Sequence, residues 1–348
     1  GNVIDPLTVS ERYGADALRL ALVSGSTPGN DTKLSDEKIV AMRNFTNKLW
    51  NLARYVGTQP TPDNESPAAS RSLSTGGQTV KSDADLWISE KLAAVTKSVT
   101  QHIDRYELSL ATEELRDFTW GDFADWYVEA HKIEKNDILL RSIFGTILRL
   151  WHPFMPFVTE AIHQTFRFDS SELLMIAHWP TSDIVQAEAG APASQNRFEL
   201  LRELIIAIRN TRASYHIEPV KKISVSASGI SEHLLRENEA VFQRLARVDE
   251  IHLIPESVTP DNTIPVQSGS IQIFLHLDGV IDINKEKCRL ENELTEKTRY
   301  ITSLQNRLDD PKFSSRAPEH ILTQTKALLD EALIAVGHLK ESLARFDR

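Results

Sequence analysis

Residues 43–56 read RNFTNKLWNLARYV. At about 100° per residue, Phe45, Leu49, Leu52 and Val56 form one narrow apolar stripe, which predicts a helix with one side in a helical core. On the opposite side Asn44, Lys48, Asn51 and Tyr55 fall within an arc of about 60°, with Arg43, Asn47 and Arg54 beside them. A face that only has to be soluble carries Glu and Lys. This one carries amides, cations and an aromatic ring, and no acid. Amides hydrogen-bond base edges, a phenol offers a stacking plane and cations meet phosphate, so the face suits unpaired nucleotides. The same residues also suit a helix whose polar groups are buried against neighbouring helices.

Outward from this helix the chain reads as mainly α, in four blocks. Residues 1–40 form a loop, a helix around Glu11–Val23, and a turn at Thr27-Pro28-Gly29-Asn30 before a short polar segment. A helical block spans 41–180 and is interrupted at 57–83 (GTQPTPDNESPAASRSLSTGGQTVKSD), whose Pro, Ser, Thr and Gly without periodicity predict an exposed, flexible insertion. The His152-Pro153 and Met155-Pro156 steps place turns or kinks inside its later helices. After a second break at Thr181–Ser194, residues 195–280 predict a small α/β module. It has a helix at Arg197–Ala213, a strand at Lys222–Ser228, a helix at Glu232–Ala246, and strands around Ile251–Ile254 and Ser270–Leu277. The alternation in SIQIFLHL is the clearest strand signal in the chain.

Residues 281–348 carry two heptad seams. Ile283, Lys287, Leu290, Leu294, Lys297, Ile301, Leu304 and Leu308 recur at spacings of four and three. Beyond DDPKFSSRAPEH, Leu322, Thr325, Leu329, Ala332, Val336, Leu339, Leu343 and Phe346 do the same. A short proline-bearing connection between arms of equal length predicts an antiparallel hairpin paired within the chain, each arm about 40 Å long. The alternative is a coiled coil that dimerises.

The totals set bounds. A hydrophobic fraction of 41% with 25% charged residues fits an ordinary folded protein, and no apolar run is long enough to cross a bilayer. One cysteine, Cys288, excludes an internal disulfide and a cysteine-built zinc site, and fits a reducing, cytoplasmic setting. The net charge of −10 argues against indiscriminate nucleic-acid binding, yet leaves room for recognition of one RNA through local patches. Residues 281–348 hold twelve Lys/Arg and twelve Asp/Glu, so the deficit belongs to 1–280. There is no P-loop, GxGxxG, HExxH or CxxC. The acids of DFTWGDFADWYVEAHK (Asp117, Asp122, Asp125, Glu129) read as capping or solvated groups on a helix packed through Phe118, Trp126 and Tyr127. His152 and His163 read as packing residues.

The order of motifs resembles the C-terminal part of the valyl-tRNA synthetase family, over nearly the whole chain. GNVIDPLTVSERYGADALRLAL resembles the segment after the KMSKS loop of class I synthetases. RNFTNKLWN resembles the first anticodon-domain helix, and ADLWISEKL, DFTWGDFADWYVEAHK and LRLWHPFMPFVTEAIHQTF the rest of that bundle. IRNTRASYHIEP resembles the family's junction helix and KFSSRAPEH the bend of its terminal coiled coil. Isoleucyl enzymes share the bundle but usually end in a cysteine-ligated zinc module, which one Cys cannot build.

The resemblance implies an anticodon-binding helical bundle, a small α/β junction module and a C-terminal coiled-coil hairpin, together the tRNA-recognition portion of a valine–tRNA ligase. It places the catalytic and editing domains, with the ATP and Mg chemistry, ahead of Gly1, and no cofactor in this chain. The chain alone is then expected to be inactive, with tRNA(Val) as its partner and a monomeric state. Arg43, Asn44, Asn47, Lys48, Asn51, Arg54 and Tyr55 are the expected anticodon contacts. Lys287, Arg289, Lys297, Arg299, Arg307, Lys312 and Arg316 are the expected contacts to the tRNA corner. The tract Arg202, Arg209, Arg212, Lys221 and Lys222 is a further candidate between the two.

Overall fold

The structure is a computed structural model that describes residues 5–26, 34–60, 82–168, 172–181, 193–260, 263–269, 271–276, 283–310, 313 and 318–346. It divides into two compact units, Gly1–Leu201 and Arg202–Arg348. The insertion expected at 57–83, the turn at 27–30 and the break at 181–194 lie wholly or mostly outside the described residues.

The first unit is helical. Helix α1 (Pro6–Tyr13) is capped by Asp5, whose carboxylate accepts from the N–H of Leu7 and Thr8. It stops at Gly14, whose φ of +92° suits a residue without Cβ, and α2 (Ala15–Val23) follows at once. The single helix expected at Glu11–Val23 is therefore two. Buried Asp16 accepts from the N–H of Phe157 (3.3 Å) and Val158 (2.6 Å), capping helix α8 (Pro156–Phe166) from across the unit. Arg19 donates to the carbonyls of Pro153 and Phe154 in the turn before it. The YGADALRL stretch is thus a clamp on the far end of the bundle.

Helix α3 (Asp36–Gly57) is the one the sequence marked. Ser35 caps it, and Ile39, Met42, Phe45, Leu49, Ala53 and Val56 are buried, with Leu52 half-buried. At its end a Cβ on Gly57 would come within 2.2 Å of the Phe166 ring, so only glycine lets α3 approach α8 this closely. Helix α4 (Asp83–Asp104) opens with a capping box between Ser82 and Asp85, and α5 (Leu108–Asp117) follows.

The chain then continues without a break into a π-helical run, Phe118–Tyr127, and on into α6 (Val128–Glu134). Helix α7 (Asp137–Trp151) ends at the His152-Pro153 step, as expected, and α8 begins at Pro156. Trp87, Phe118, Phe123, Tyr127, Phe144 and Trp151 fill the core, and Phe118, Trp126 and Tyr127 pack as expected. Buried His163 and part-buried His152, bonded to Thr159 at 2.9 Å, are packing residues. A 3-10 turn at Leu174–Ile176 packs against α8.

The division between units falls within α9 (Ala193–Ser214). The second unit holds a four-stranded sheet of β1 (Ile223–Ser228), β2 (Val248–Leu253), β3 (Thr263–Ser268) and β4 (Ile271–His276), in the order β2-β1-β4-β3. β1 runs parallel to β2 and antiparallel to β4, and β3 antiparallel to β4. Strand β3 escapes a sequence reading because Pro265 argues against a strand. It is an edge strand, where a missing N–H is tolerated. The helix expected at Glu232–Ala246 is broken into α10 (Glu232–Glu237) and α11 (Glu239–Ala246) by buried Asn238, whose amide bonds the Leu234 carbonyl.

Helices α12 (Ile283–Asp309) and α13 (Glu319–Phe346) pack against each other as the heptads predict. Leu290, Ile301 and Leu304 on one, and Thr325 and Ala332 on the other, are buried. Lys297, at a seam position by sequence, is exposed. Among the described residues no helix is long and apolar enough to cross a membrane, and no cluster of His, Cys, Asp and Glu could hold a metal ion.

Candidate nucleic-acid interface

The outer side of α3 presents Asn44, Asn47, Asn51 and Arg54 to solvent, while Arg43, Lys48 and Tyr55 are half-buried. The three half-buried groups are all engaged. The Arg43 guanidinium lies 5.8 Å from the centroid of the Tyr13 ring. Lys48 Nζ sits 3.4 Å from the centroid of the Trp120 ring and 3.3 Å from Asp125 Oδ1. Burial pulls the Lys48 pKa down, and Asp125 partly restores it. The Tyr55 hydroxyl lies 3.0 Å from His131 Nδ1.

One expectation needs correcting. The face is free of acid along α3 but not in space, because the neighbouring π-helical run supplies Asp125. Asp117 and Asp125 are exposed, as expected of solvated acids, though Asp125 also pairs with Lys48, and in α6 Glu129 pairs with Lys132. The Lys48–Asp125 pair joins residues 77 apart in sequence, so no local pattern announces it.

Trp120 is the functional candidate that sequence reasoning missed. It is 40% exposed and lies near-parallel to buried Phe45, at 19° with centroids 6.1 Å apart. Beside it opens a cavity of about 580 Å³ lined by Ala41, Met42, Asn44, Phe45, Arg116, Asp117, Trp120 and Gly121. Its lining is mainly apolar, with one amide (Asn44), one cation (Arg116) and one carboxylate (Asp117). A wheel drawn at 3.6 residues per turn misplaces Trp120, since π-helical turns carry more residues. The usable signal was composition: an aromatic beside Gly121 between Asp117 and Asp122.

Behind this face lies a polar core. Asp85, 3% exposed, accepts from Tyr127 Oη and Asn136 Nδ2, both at 2.7 Å. Ser82 Oγ donates to Glu134 at 2.5 Å, and burial raises the Glu134 carboxyl to about 7. The Tyr127 phenol is pushed well up by burial and by Asp85. Its buried hydroxyl therefore stays a donor.

On the hairpin, Lys297, Arg299 and Arg307 are exposed. Lys287 and Arg289 are half-buried, and Arg289 pairs with Glu293 at 3.0 Å. Arg307 lies over the Phe313 ring. Lys312 and Arg316 lie outside the described residues. A cavity of about 600 Å³ opens between the helices, lined by Glu293, Glu296, Lys297, Tyr300, Leu328, Glu331 and Ala332.

The tract in the second unit is largely committed to the fold. Arg209 donates to the Leu245 carbonyl, and buried Arg212 to those of Glu218, Lys221 and Arg247. Lys222 pairs with Asp249 at 3.0 Å. Arg209 and Arg212 are thus fixed by carbonyls rather than set out for phosphate, a correction to the reading from charge alone.

Parts of the chain match known families. Residues 85–227 match the family described as the anticodon-binding domain of tRNA ligase, and residues 282–347 match the valyl tRNA synthetase tRNA binding arm. The chain is 34% identical over 355 residues to a valine–tRNA ligase of Carboxydothermus hydrogenoformans, covering 99% of this chain and 38% of that protein. It is likewise 34% identical over 359 residues to a valine–tRNA ligase of Enterococcus faecalis, covering 99% of this chain and 39% of that protein. The chain therefore spans about two fifths of the length of these curated relatives.

Proposed function

We propose that this chain, whose residues 85–227 belong to the anticodon-binding domains of tRNA ligases and 282–347 to the valyl-tRNA synthetase arms, is the tRNA-recognition portion of a valine–tRNA ligase. The first unit takes the anticodon and the hairpin takes the corner of the tRNA. In the whole protein this grip serves the ATP-dependent attachment of valine to tRNA(Val). The observation that carries the reading is the surface of α3 and the π-helical run: exposed amides beside a cavity walled by Trp120. A base entering it meets an aromatic ring, the Asn44 amide and the Asp117 carboxylate, which is how proteins read unpaired nucleotides.

The hairpin adds a second, mainly electrostatic contact through Lys297, Arg299 and Arg307. Two separated contacts on one rigid ligand raise affinity through effective concentration. The seams of α12 and α13 face each other within one chain, which supports a monomer over the dimerising alternative. The test is binding of the chain to tRNA(Val) and to the same tRNA with its middle anticodon base changed. Tight binding to the first and at least tenfold weaker binding to the second is expected, about 1.4 kcal/mol. Equal binding to both would end the reading.

A further inference from the structure

We infer that His131 is a positioning residue for the RNA-facing side of α3, holding the Tyr55 ring in one orientation before any base arrives. The inference rests on the reading above that this face meets RNA. Tyr55 stands near the end of α3, and its hydroxyl lies 3.0 Å from His131 Nδ1. The two rings meet edge-on, at 87° with centroids 6.0 Å apart. His131 is 1% exposed, so its imidazole is a fixed post rather than a mobile partner.

The surroundings set the direction of the bond. His131 Nε2 lies 3.0 Å from Asp137 Oδ1, although neither atom is aligned in a directed hydrogen bond. A carboxylate only accepts, and its charge at 3.0 Å favours the tautomer with the ring proton on Nε2. Nδ1 then accepts the proton of the Tyr55 hydroxyl. The titratable groups facing the imidazole are Tyr55 from α3, Asp85 from α4, Tyr127 from the π-helical run, Asp137 from α7 and Lys135 at the end of its own helix. Burial outweighs the two carboxylates and keeps His131 neutral to lower pH than an ordinary histidine. The Lys132 ammonium, paired with Glu129, lies 5.6 Å from the centroid of the Tyr55 ring. The phenol is thus held at its hydroxyl, along its edge and over its face.

Two consequences follow from this bracing. A ring ordered in the free protein need not be ordered by the RNA, which removes part of the entropic penalty of association. Protonation of His131 would also turn Nδ1 from acceptor to donor, and the Tyr55 hydroxyl would have to redirect its own proton.

The experiment measures binding of the full chain to a tRNA(Val) transcript for wild type, Tyr55→Phe, His131→Leu, His131→Asn and the double variant Tyr55→Phe/His131→Leu. Each of Tyr55→Phe and His131→Leu should weaken binding about three- to tenfold, with the double variant no weaker than either alone. His131→Asn, whose side-chain oxygen can take the place of Nδ1, should stay within about twofold of wild type. The 15N spectrum of the His131 imidazole should show an unprotonated Nδ1 that shifts in Tyr55→Phe. Additive losses in the double variant, or a protonated Nδ1 in the wild type, would overturn the inference while leaving the proposed function standing. Failure of the wild type to bind tRNA removes both.

Discussion

The outer side of α3 and the outer side of α12 are both proposed to meet the same RNA, yet they are built on different principles. On α3 the cation and the phenol are already engaged: Lys48 with Asp125 and Trp120, Tyr55 with His131. A filled aromatic core stands behind them. On α12 the cations Lys297, Arg299 and Arg307 project from one half of a two-helix seam with few buried positions among the described residues. The first surface is organised in advance and suits the reading of base shape. The second is a row of charge and suits the phosphate backbone. Recognition of one RNA among many needs both, since phosphate contacts position and base contacts specify.

Stability should separate the regions most. Trp151 is fully buried in the bundle, and Trp151→Ala should cost about 3–5 kcal/mol and lower the thermal midpoint followed by near-UV signal. Leu304→Ala in the hairpin removes a smaller side chain from a thinner core, and should cost less in the same measurement. Equal losses would break the contrast.

Next comes pH. Burial raises the folded carboxyl of Glu134 from 4.5 to about 7. Because the folded value exceeds the unfolded one, the stabilising contribution is complete below about 4.5 and is lost as pH rises through 7. The shift corresponds to about 3 kcal/mol between those limits. Urea unfolding of the bundle should therefore show falling stability from pH 5 to 8, and Glu134→Gln should flatten that slope. The hairpin, monitored separately, should not share it.

Binding distinguishes the two surfaces directly. Trp120→Ala should cost about 1–3 kcal/mol in tRNA affinity, as removal of a stacking partner usually does, with little change in salt dependence. Replacing Lys297, Arg299 and Arg307 together by Gln should instead lower the slope of log K against log salt, by about 0.7–0.9 for each phosphate no longer neutralised. Lys48→Gln should change that slope least, since Asp125 already offsets its charge. A Lys48 effect as large as that of Lys297 would show that RNA displaces Asp125 on binding.

What could be read from the chain beforehand follows the range of the forces involved. The α3 stripe and the hairpin seams were legible because burial repeats with the helical period. Boundaries at Gly14 and Asn238 were not, because each depends on the backbone angles of a single residue inside an otherwise helical pattern. The candidate site was half legible. Asn44, Asn47, Asn51 and Arg54 are exposed as the helical wheel predicts, whereas the state of Lys48 and Tyr55 is decided by Asp125 and His131, more than seventy residues away. The resemblance of motifs to valyl-tRNA synthetases carried the fold further than periodicity alone, and the family matches at 85–227 and 282–347 agree with it.

The ten-residue π-helical run gives the molecule slack. In an α-helix, adding or removing one residue swings everything downstream by about 100°. Wider turns hold surplus chain that can be given up or taken in locally. Trp120 lies inside that reserve, while His131 and Asp137 come after it. A small insertion or deletion there can therefore re-aim the outward aromatic while the anchors beyond it keep their phase.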